Sequence, residues 1–340
     1  MGLLDKIKTE YKTLSIVGMA KNAGKTTALN YIIDEAMDEG RVLGITSTGR
    51  DGESVDLVTG THKPKIYLDE GSIVSMSRQL YELSDAGLEV LKISDYSTAM
   101  GQLLICKVLQ SGYVQIAGPG STADHKELCK EMLNMGAEIV IIDGAIDRKS
   151  IAAPDTSDAI ILATGAVLSR SMNKVVAETA YTLELYTLPI TDNQFIKDTL
   201  EDESLEDKVI VFSGDEYKVL ELKTGLGASR YIDEALTEDV DYVYLPGALT
   251  ESVIADIHPK KYKRTKIILK DPTKIFISSI RWGQLKKQGF CVEVVKNIKV
   301  AAITVNPVAP LGYRFDHKEL IDAMQEAVGD IPVVDVKYNG

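Results

Sequence analysis

The stretch IVGMAKNAGKTTALNYII, residues 16–33, joins a short apolar run, a loop of small residues and the start of an amphipathic helix. The loop ends in GKT, residues 24–26, which matches the end of the phosphate-binding pattern G-x-x-x-x-G-K-[ST]. The first glycine of that pattern would fall at Met19, but Gly18 comes one position early. The stretch therefore predicts either a variant phosphate loop or an ordinary glycine turn before a helix that begins with lysine.

A working phosphate loop points backbone N–H groups at phosphate oxygens, which favours small residues. We expect Lys25 to reach the β- and γ-phosphates, Thr26 to bind Mg²⁺, and Thr27 to offer a second hydroxyl. Lys21 either adds a second positive charge or faces solvent. The full set expected to hold the nucleotide is Gly18, Asn22, Ala23, Gly24, Lys25, Thr26 and Thr27.

An acidic residue ends a second apolar strand in AEIVIIDGA, residues 137–145. A carboxylate at this position, Asp143, can hold Mg²⁺ directly or through water. The alternative is a strand-end aspartate that caps a turn. Arg148 reaches phosphate or substrate in one interpretation and forms a surface salt bridge in the other.

The segment TSTGRDGESVD, residues 46–56, follows another strand and should open at the same edge of the sheet. Of its three acidic residues, Asp51 is the candidate for positioning Mg²⁺ or the attacking water, because flanking glycines let its backbone approach the phosphates. A plain acidic turn is the alternative. We interpret the segment as one that a γ-phosphate could order, as in switch proteins.

Three further strand ends supply small or amide residues. GPGST (118–122) and ATGA (163–166) either bound a substrate pocket or form tight turns. Asn306 either contacts a nucleotide base or ends its strand in a turn.

Apolar runs alternate with helix-like stretches, which predicts a parallel sheet covered on both faces, an α/β fold. We expect a phosphate-loop nucleotide-binding domain over residues 1–196, an acidic linker over 197–207, and a second, smaller α/β domain over 208–340. Whether the second domain extends the first sheet stays open. The predicted strands are 14–17, 42–46, 90–93, 114–117, 139–143, 159–164, 209–212, 242–245, 266–269, 291–295, 300–305 and 332–336.

Composition narrows the functional classes. The 340 residues carry a formal net charge of −12, which argues against a nucleic-acid binder. Three scattered cysteines indicate a reducing compartment without a zinc site. Four histidines show no metal-ligand spacing. No apolar run is long enough for a membrane span or a signal peptide, so we expect a cytoplasmic protein without a membrane partner.

The segments KNAGKTT, GRDGESVD with KPKIYLDEG, and DGAIDRKS together resemble a branch of the P-loop NTPases over about residues 10–190. That branch includes dethiobiotin synthetase and nucleotide-loaded maturation proteins. The resemblance implies Mg·nucleotide at the carboxyl edge of a parallel sheet, with a homodimer left open. Ala20 stands where the deviant loop of this branch has its signature lysine, so the resemblance does not extend to a lysine that crosses to a partner subunit.

More narrowly, DGAIDRKSIAAPDTSDAIILATGA and ITVNPVAPLGYRFDHKEL resemble the P-loop subunit of the lysine 5,6-aminomutase reactivase. This resemblance implies a MutS-like ATPase subunit and an aminomutase dependent on cobalamin and pyridoxal phosphate as partners. We therefore expect a Mg²⁺-dependent ATPase, with GTP also open, in which Lys25, Asp51 and Asp143 support hydrolysis and Thr26, Asp51 and Asp143 hold the metal. The alternatives are a small-molecule ligase or kinase and a nucleotide-responsive binding module.

Overall fold

The computed structural model describes residues 2–48, 66–98, 101–144, 154, 156–221, 228–310 and 312–337. The chain forms two compact units. The first consists of residues 1–180 and 299–340, and the second of residues 181–298.

The strands are β1 (Thr13–Gly18), β2 (Leu43–Ser47), β3 (Ile66–Leu68), β4 (Ile73–Ser77), β5 (Gly87–Thr98), β6 (Gly101–Gln110), β7 (Gly112–Val114), β8 (Ile139–Asp143), β9 (Ala159–Gly165), β10 (Val209–Ser213), β11 (Glu216–Leu220), β12 (Tyr242–Leu245), β13 (Leu249–Thr250), β14 (Lys266–Leu269), β15 (Ile275–Phe276), β16 (Val292–Val294), β17 (Val300–Asn306) and β18 (Val333–Asp335). The α-helices are α1 (Leu3–Lys6), α2 (Lys25–Glu39), α3 (Arg78–Glu82), α4 (Thr122–Asn134), α5 (Met172–Tyr186), α6 (Gln194–Leu200), α7 (Ala228–Ala235), α8 (Glu251–Ile254), α9 (Pro259–Tyr262), α10 (Ser279–Lys287) and α11 (His317–Val328).

The first unit is built on a nine-stranded sheet in the order β18-β17-β9-β1-β8-β2-β4-β6-β5. The strands from β18 to β4 run parallel, β6 runs antiparallel to β4, and β5 runs antiparallel to β6. Every residue of β2 and β9 is buried, as expected of parallel strands covered on both faces. The predicted α/β class with a large, mostly parallel sheet is confirmed.

Helix α2 follows the sequence pattern closely. Its buried residues are Ala28, Leu29, Ile32, Ile33 and Ala36. Gly40 ends the helix in the left-handed conformation, with φ 68°, which glycine adopts without steric cost. The predicted amphipathic helix after the loop is confirmed.

The second unit has a five-stranded sheet in the order β11-β10-β12-β14-β16, in which β12, β14 and β16 are parallel. Successive residues of these strands point to opposite faces of the sheet, and their side chains pack into two separate hydrophobic clusters. On one face, Ile210, Phe212, Tyr244 and Ile268 pack with Ile196 of α6. On the other, the alternate residues of these strands join the cluster that includes Trp282 and Phe290.

The predicted boundaries at 1–196 and 208–340 are corrected by this division. Strand β17 pairs in parallel with β9 over Val300–Asn306, so the C-terminal strands extend the first sheet. The pairing gives β9, whose residues are all buried, a neighbour on its second side. Residues 197–207 are part of the second unit: α6 and the 3₁₀ turn Glu203–Leu205 cover its sheet through Ile196, Leu200 and Leu205. The charged side chains of this segment face solvent and its apolar side chains face the sheet. The acidic composition did not indicate this arrangement.

No helix among the described residues combines the length and the apolar character required to cross a membrane.

Candidate nucleotide-binding site

The loop between β1 and α2, residues 19–24, has an unusual backbone. Asn22 has φ 64° and Gly24 has φ 104°, both in the left-handed region. Asn22 is the one non-glycine residue with positive φ in the described part of the chain, and asparagine adopts this conformation more readily than most other residues. Alternating backbone handedness is the arrangement found in anion-binding concavities, although the Ala23 N–H is already donated to the Ala20 carbonyl at 3.2 Å.

The N-terminus of α2 is open to a ligand at its first turn. Its N-cap residue is Gly24, which provides no side-chain hydrogen bond to the helix amides. The exposed Thr26 and half-buried Thr27 follow directly. Uncapped amides at a helix start carry partial positive charge and bind anions. This arrangement suits the predicted roles of Thr26 and Thr27, which stay predictions.

The structure gives a physical reason for the position of the shifted glycine. Gly18 is the last residue of β1 and its φ is not positive. A Cβ at this position would lie 3.0 Å from both Cγ and Cδ of Lys25. Gly18 therefore makes room for the lysine stem. Met19, which occupies the usual glycine position, continues the sheet by donating its N–H to the Ala163 carbonyl at 2.9 Å.

Lys25 crosses from the loop to the neighbouring strand. Its Nζ donates to the backbone carbonyl of Gly144, the residue directly after β8. The half-buried Asp143 ends β8, opposite Ile16 of β1 and Ser47 of β2. The backbone N–H of Thr48 donates to the Asp143 carbonyl at 3.0 Å. The predicted lysine and the predicted strand-end aspartate are thus brought to the same edge of the sheet.

On the other side of the loop lies Asn306. A Cβ added to Gly24 would meet the Asn306 Cβ at 3.2 Å, and one added to Gly165 would meet the Asn306 backbone oxygen at 2.1 Å. The Asn306 Oδ1 accepts a hydrogen bond from the Val308 N–H at 3.1 Å. The side chain therefore closes a local turn, as one of the two predicted interpretations has it. It also lies beside the loop, and its contact with a nucleotide base stays a prediction.

The segment 118–121 packs against the end of β2. A Cβ on Gly118 would approach the Ser47 carbonyl oxygen to 1.8 Å, so only glycine fits there. Ser121 caps α4 by accepting from the Asp124 N–H. These residues line the edge next to β2 and β8, as expected of either a pocket wall or a tight turn.

His125, in α4, is a feature that sequence reasoning missed. It is 4% exposed, and its Cε1 lies 3.0 Å from the position of a Cβ on Gly118. Burial lowers its pKa to about 4, although the nearby Pro119 backbone opposes the shift. Neither ring nitrogen reaches hydrogen-bonding geometry with a described residue. Its place on the buried face of α4, one turn before Leu128 and Cys129, is the signal in the sequence that predicts its burial.

The predicted metal and catalytic residue Asp51 lies outside the described residues, as do Glu53, Asp56 and Arg148. Burial raises the pKa of the Cys106 and Cys129 thiols to about 12, so neither is a thiolate nucleophile at neutral pH.

Comparisons with protein-family models, with characterised proteins and with solved structures give no match to this chain.

Proposed function

We propose that the chain is a Mg²⁺-dependent P-loop NTPase that uses ATP, with the phosphates seated on residues 19–24. The observation that carries this proposal is the left-handed backbone of the loop directly before an uncapped helix start. This combination suits an anion cradle, because the helix amides are left available to phosphate oxygens.

The roles follow from position. Lys25 exchanges the Gly144 carbonyl for the β- and γ-phosphates, since a phosphate oxygen is the stronger acceptor for an ammonium group. Thr26 ligates Mg²⁺, and Asp143 supports the metal from the adjacent strand end. Catalysis then consists of positioning and charge neutralisation.

The biological role proposed is reactivation or maturation of a partner enzyme, with a cobalamin- and pyridoxal-phosphate-dependent lysine 5,6-aminomutase as the candidate. Support comes from the resemblance of two segments. One of them, residues 303–320, includes Asn306 beside Gly24. The segment that carries the narrower resemblance therefore reaches the proposed nucleotide site.

The rival function is an ATP-dependent ligase or kinase for a small molecule. It is favoured by the close packing of Gly118 on Ser47, since this places the 118–121 segment on the Asp143 side of the loop, where an acceptor substrate would sit.

Calorimetry with Mg·ATP and Mg·GTP, followed by hydrolysis assays, tests the proposal. We expect binding of Mg·ATP and slow hydrolysis by the protein alone, accelerated by the aminomutase and the MutS-like subunit. Absence of binding to either nucleotide would overturn the NTPase proposal. Acceleration by a carboxylic acid or alcohol metabolite, with formation of a phosphorylated product, would replace the partner role with the ligase or kinase role.

A further inference from the structure

The outermost strand of the nine-stranded sheet, β5, presents an apolar edge. It pairs with β6, and its other side has no strand neighbour among the described residues. Val90, Leu91 and Ile93 are 38%, 37% and 59% exposed. Open, apolar edge strands are sites at which another strand adds, and most proteins protect them.

A bulge sets the faces of this strand. The pairing with β6 shifts between Val90 and Lys92, so Leu91 is an extra residue. Glu89 and Lys92 consequently face the same side, because their partners on β6 are Lys107 and Ile105, two residues apart. The opposite face carries Leu88, Val90 and Ile93, opposite the buried residues Val108, Cys106 and Leu104.

We propose that β5 is a homodimer interface, in which two copies of this strand pair antiparallel about a twofold axis at the Val90 bulge. A twofold axis keeps each face of the sheet on its own side, so paired residues must come from the same face. The resulting cross-strand pairs are Glu89 with Lys92 of the second copy, Leu88 with Ile93 of the second copy, and Val90 with Val90 of the second copy.

This register is favoured over its neighbours by charge. Moving the axis to Glu89 places two carboxylates opposite each other, and moving it to Lys92 does the same for two ammonium groups. Like charges directly opposite are destabilising, whereas opposite charges and apolar pairs stabilise a ladder. Lys92 also forms a salt bridge to Glu131 of its own chain at 2.6 Å, so in the dimer its ammonium group is shared between Glu131 and Glu89 of the second copy.

The bulge, which commonly protects an edge strand, coincides here with the axis. Each strand therefore keeps two regularly paired residues on either side of the axis, Leu88 and Glu89 before it and Lys92 and Ile93 after it. The apolar face of the sheet continues from one copy to the other, and it covers the exposed parts of Val90 and Ile93.

Charge exchange is the first test, with mass measured by light scattering against the 37.2 kDa monomer. We expect a dimer for the wild type, and dissociation constants raised about tenfold or more for Glu89→Lys, because two attractive pairs become repulsive. Mixing Glu89→Lys with Lys92→Glu should restore a dimer of one copy of each, since both cross-strand pairs are again opposite in charge. A monomeric wild type, or a dimer indifferent to Glu89→Lys, would overturn the proposal.

Disulfide formation is the second test, and it does not depend on the Lys92 variant, which also loses its Glu131 partner. In a Cys291→Ser background, Val90→Cys should crosslink to itself under mild oxidation. Ile93→Cys alone should stay uncrosslinked, but it should form a dimer when mixed with Leu88→Cys. Crosslinking of Ile93→Cys alone at the same rate would rule out this register.

Discussion

The carboxyl edges of the two main sheets carry helix starts of different kinds. In the second unit, the start of α10 is closed by the chain's own side chains: Ser278 caps the helix, and Glu251 accepts hydrogen bonds from both the N–H and the hydroxyl of Ser278. In the first unit, Ser121 caps α4 in the same way, but α2 starts at a left-handed glycine with no side-chain cap. A helix start that satisfies itself gains stability, whereas one left open keeps its amides for a ligand.

The largest effect expected at the first edge concerns His125. Its pKa is lowered from 6.5 to about 4 by burial, so the unfolded chain takes up a proton that the folded chain does not. The contribution of the neutral His125 to the free energy of unfolding is fully present above pH 6.5. It is lost as the pH falls toward 4, by up to about 3 kcal/mol. Urea unfolding of wild type and His125→Leu at pH 7 and pH 5 measures the difference.

The variant should lose most of this pH dependence. An independent readout is the NMR titration of the His125 Cε1 proton, which should keep its neutral chemical shift well below pH 6.5 and titrate near pH 4. Titration near pH 6.5 would show that the imidazole is solvated.

Removal of the lysine is the next largest change. Lys25→Ala should weaken Mg·ATP binding by about 30- to 150-fold, about 2–3 kcal/mol, because one charge-assisted contact to phosphate is lost. Calorimetry compares it with Lys130→Ala, an exposed lysine of α4. Equal affinities in the Lys25→Ala and wild-type proteins would show that the loop does not bind the nucleotide.

The effect expected at the proposed metal site is smaller. Asp143→Asn keeps the shape and removes the charge, so hydrolysis should fall about tenfold with a weaker Mg²⁺ dependence, while metal-free nucleotide binding changes little. Asp38→Asn, an exposed residue near the far end of α2, is the matched control. A Mg²⁺ titration that overlays the wild type would reduce Asp143 to a turn residue.

The smallest effect belongs to the closed edge. Ser278→Ala removes an N-cap and should lower the free energy of unfolding by about 1 kcal/mol. Nucleotide affinity, measured under the conditions used for Lys25→Ala, should not change. A loss of affinity in Ser278→Ala would mean that the two edges are not functionally separate.

Local elements followed from the sequence more readily than long-range order. Strand β8 and strands β12 and β14 lie at their predicted residues, because continuous apolar runs report burial on both faces. Strands β4 and β6 were not predicted. Ser75 and Ser77 interrupt the apolar pattern of β4, and Ser75 is satisfied by the Ala117 carbonyl and the Thr46 hydroxyl.

In the candidate site, too, the local parts could be predicted from the sequence and the long-range contacts could not. The loop and the start of α2 were predictable because their chemistry is contiguous in sequence. The place of Asn306 next to Gly24 was not, since 282 residues separate them and only the pairing of β17 with β9 joins them. The antiparallel pairing of β5 with β6, by contrast, joins strands that are neighbours in sequence, but an apolar run alone does not specify its direction.

The division of the first unit into two chain segments has a consequence for synthesis on the ribosome. Residues 181–298 emerge as one continuous piece and hold all five strands of their sheet, so this unit can fold while translation proceeds. Strand β9, by contrast, waits with an unpaired edge until residues 300–306 leave the exit tunnel. Asn306 then arrives beside a loop made nearly 300 residues earlier, so the proposed nucleotide site is completed only after the second unit has been synthesised.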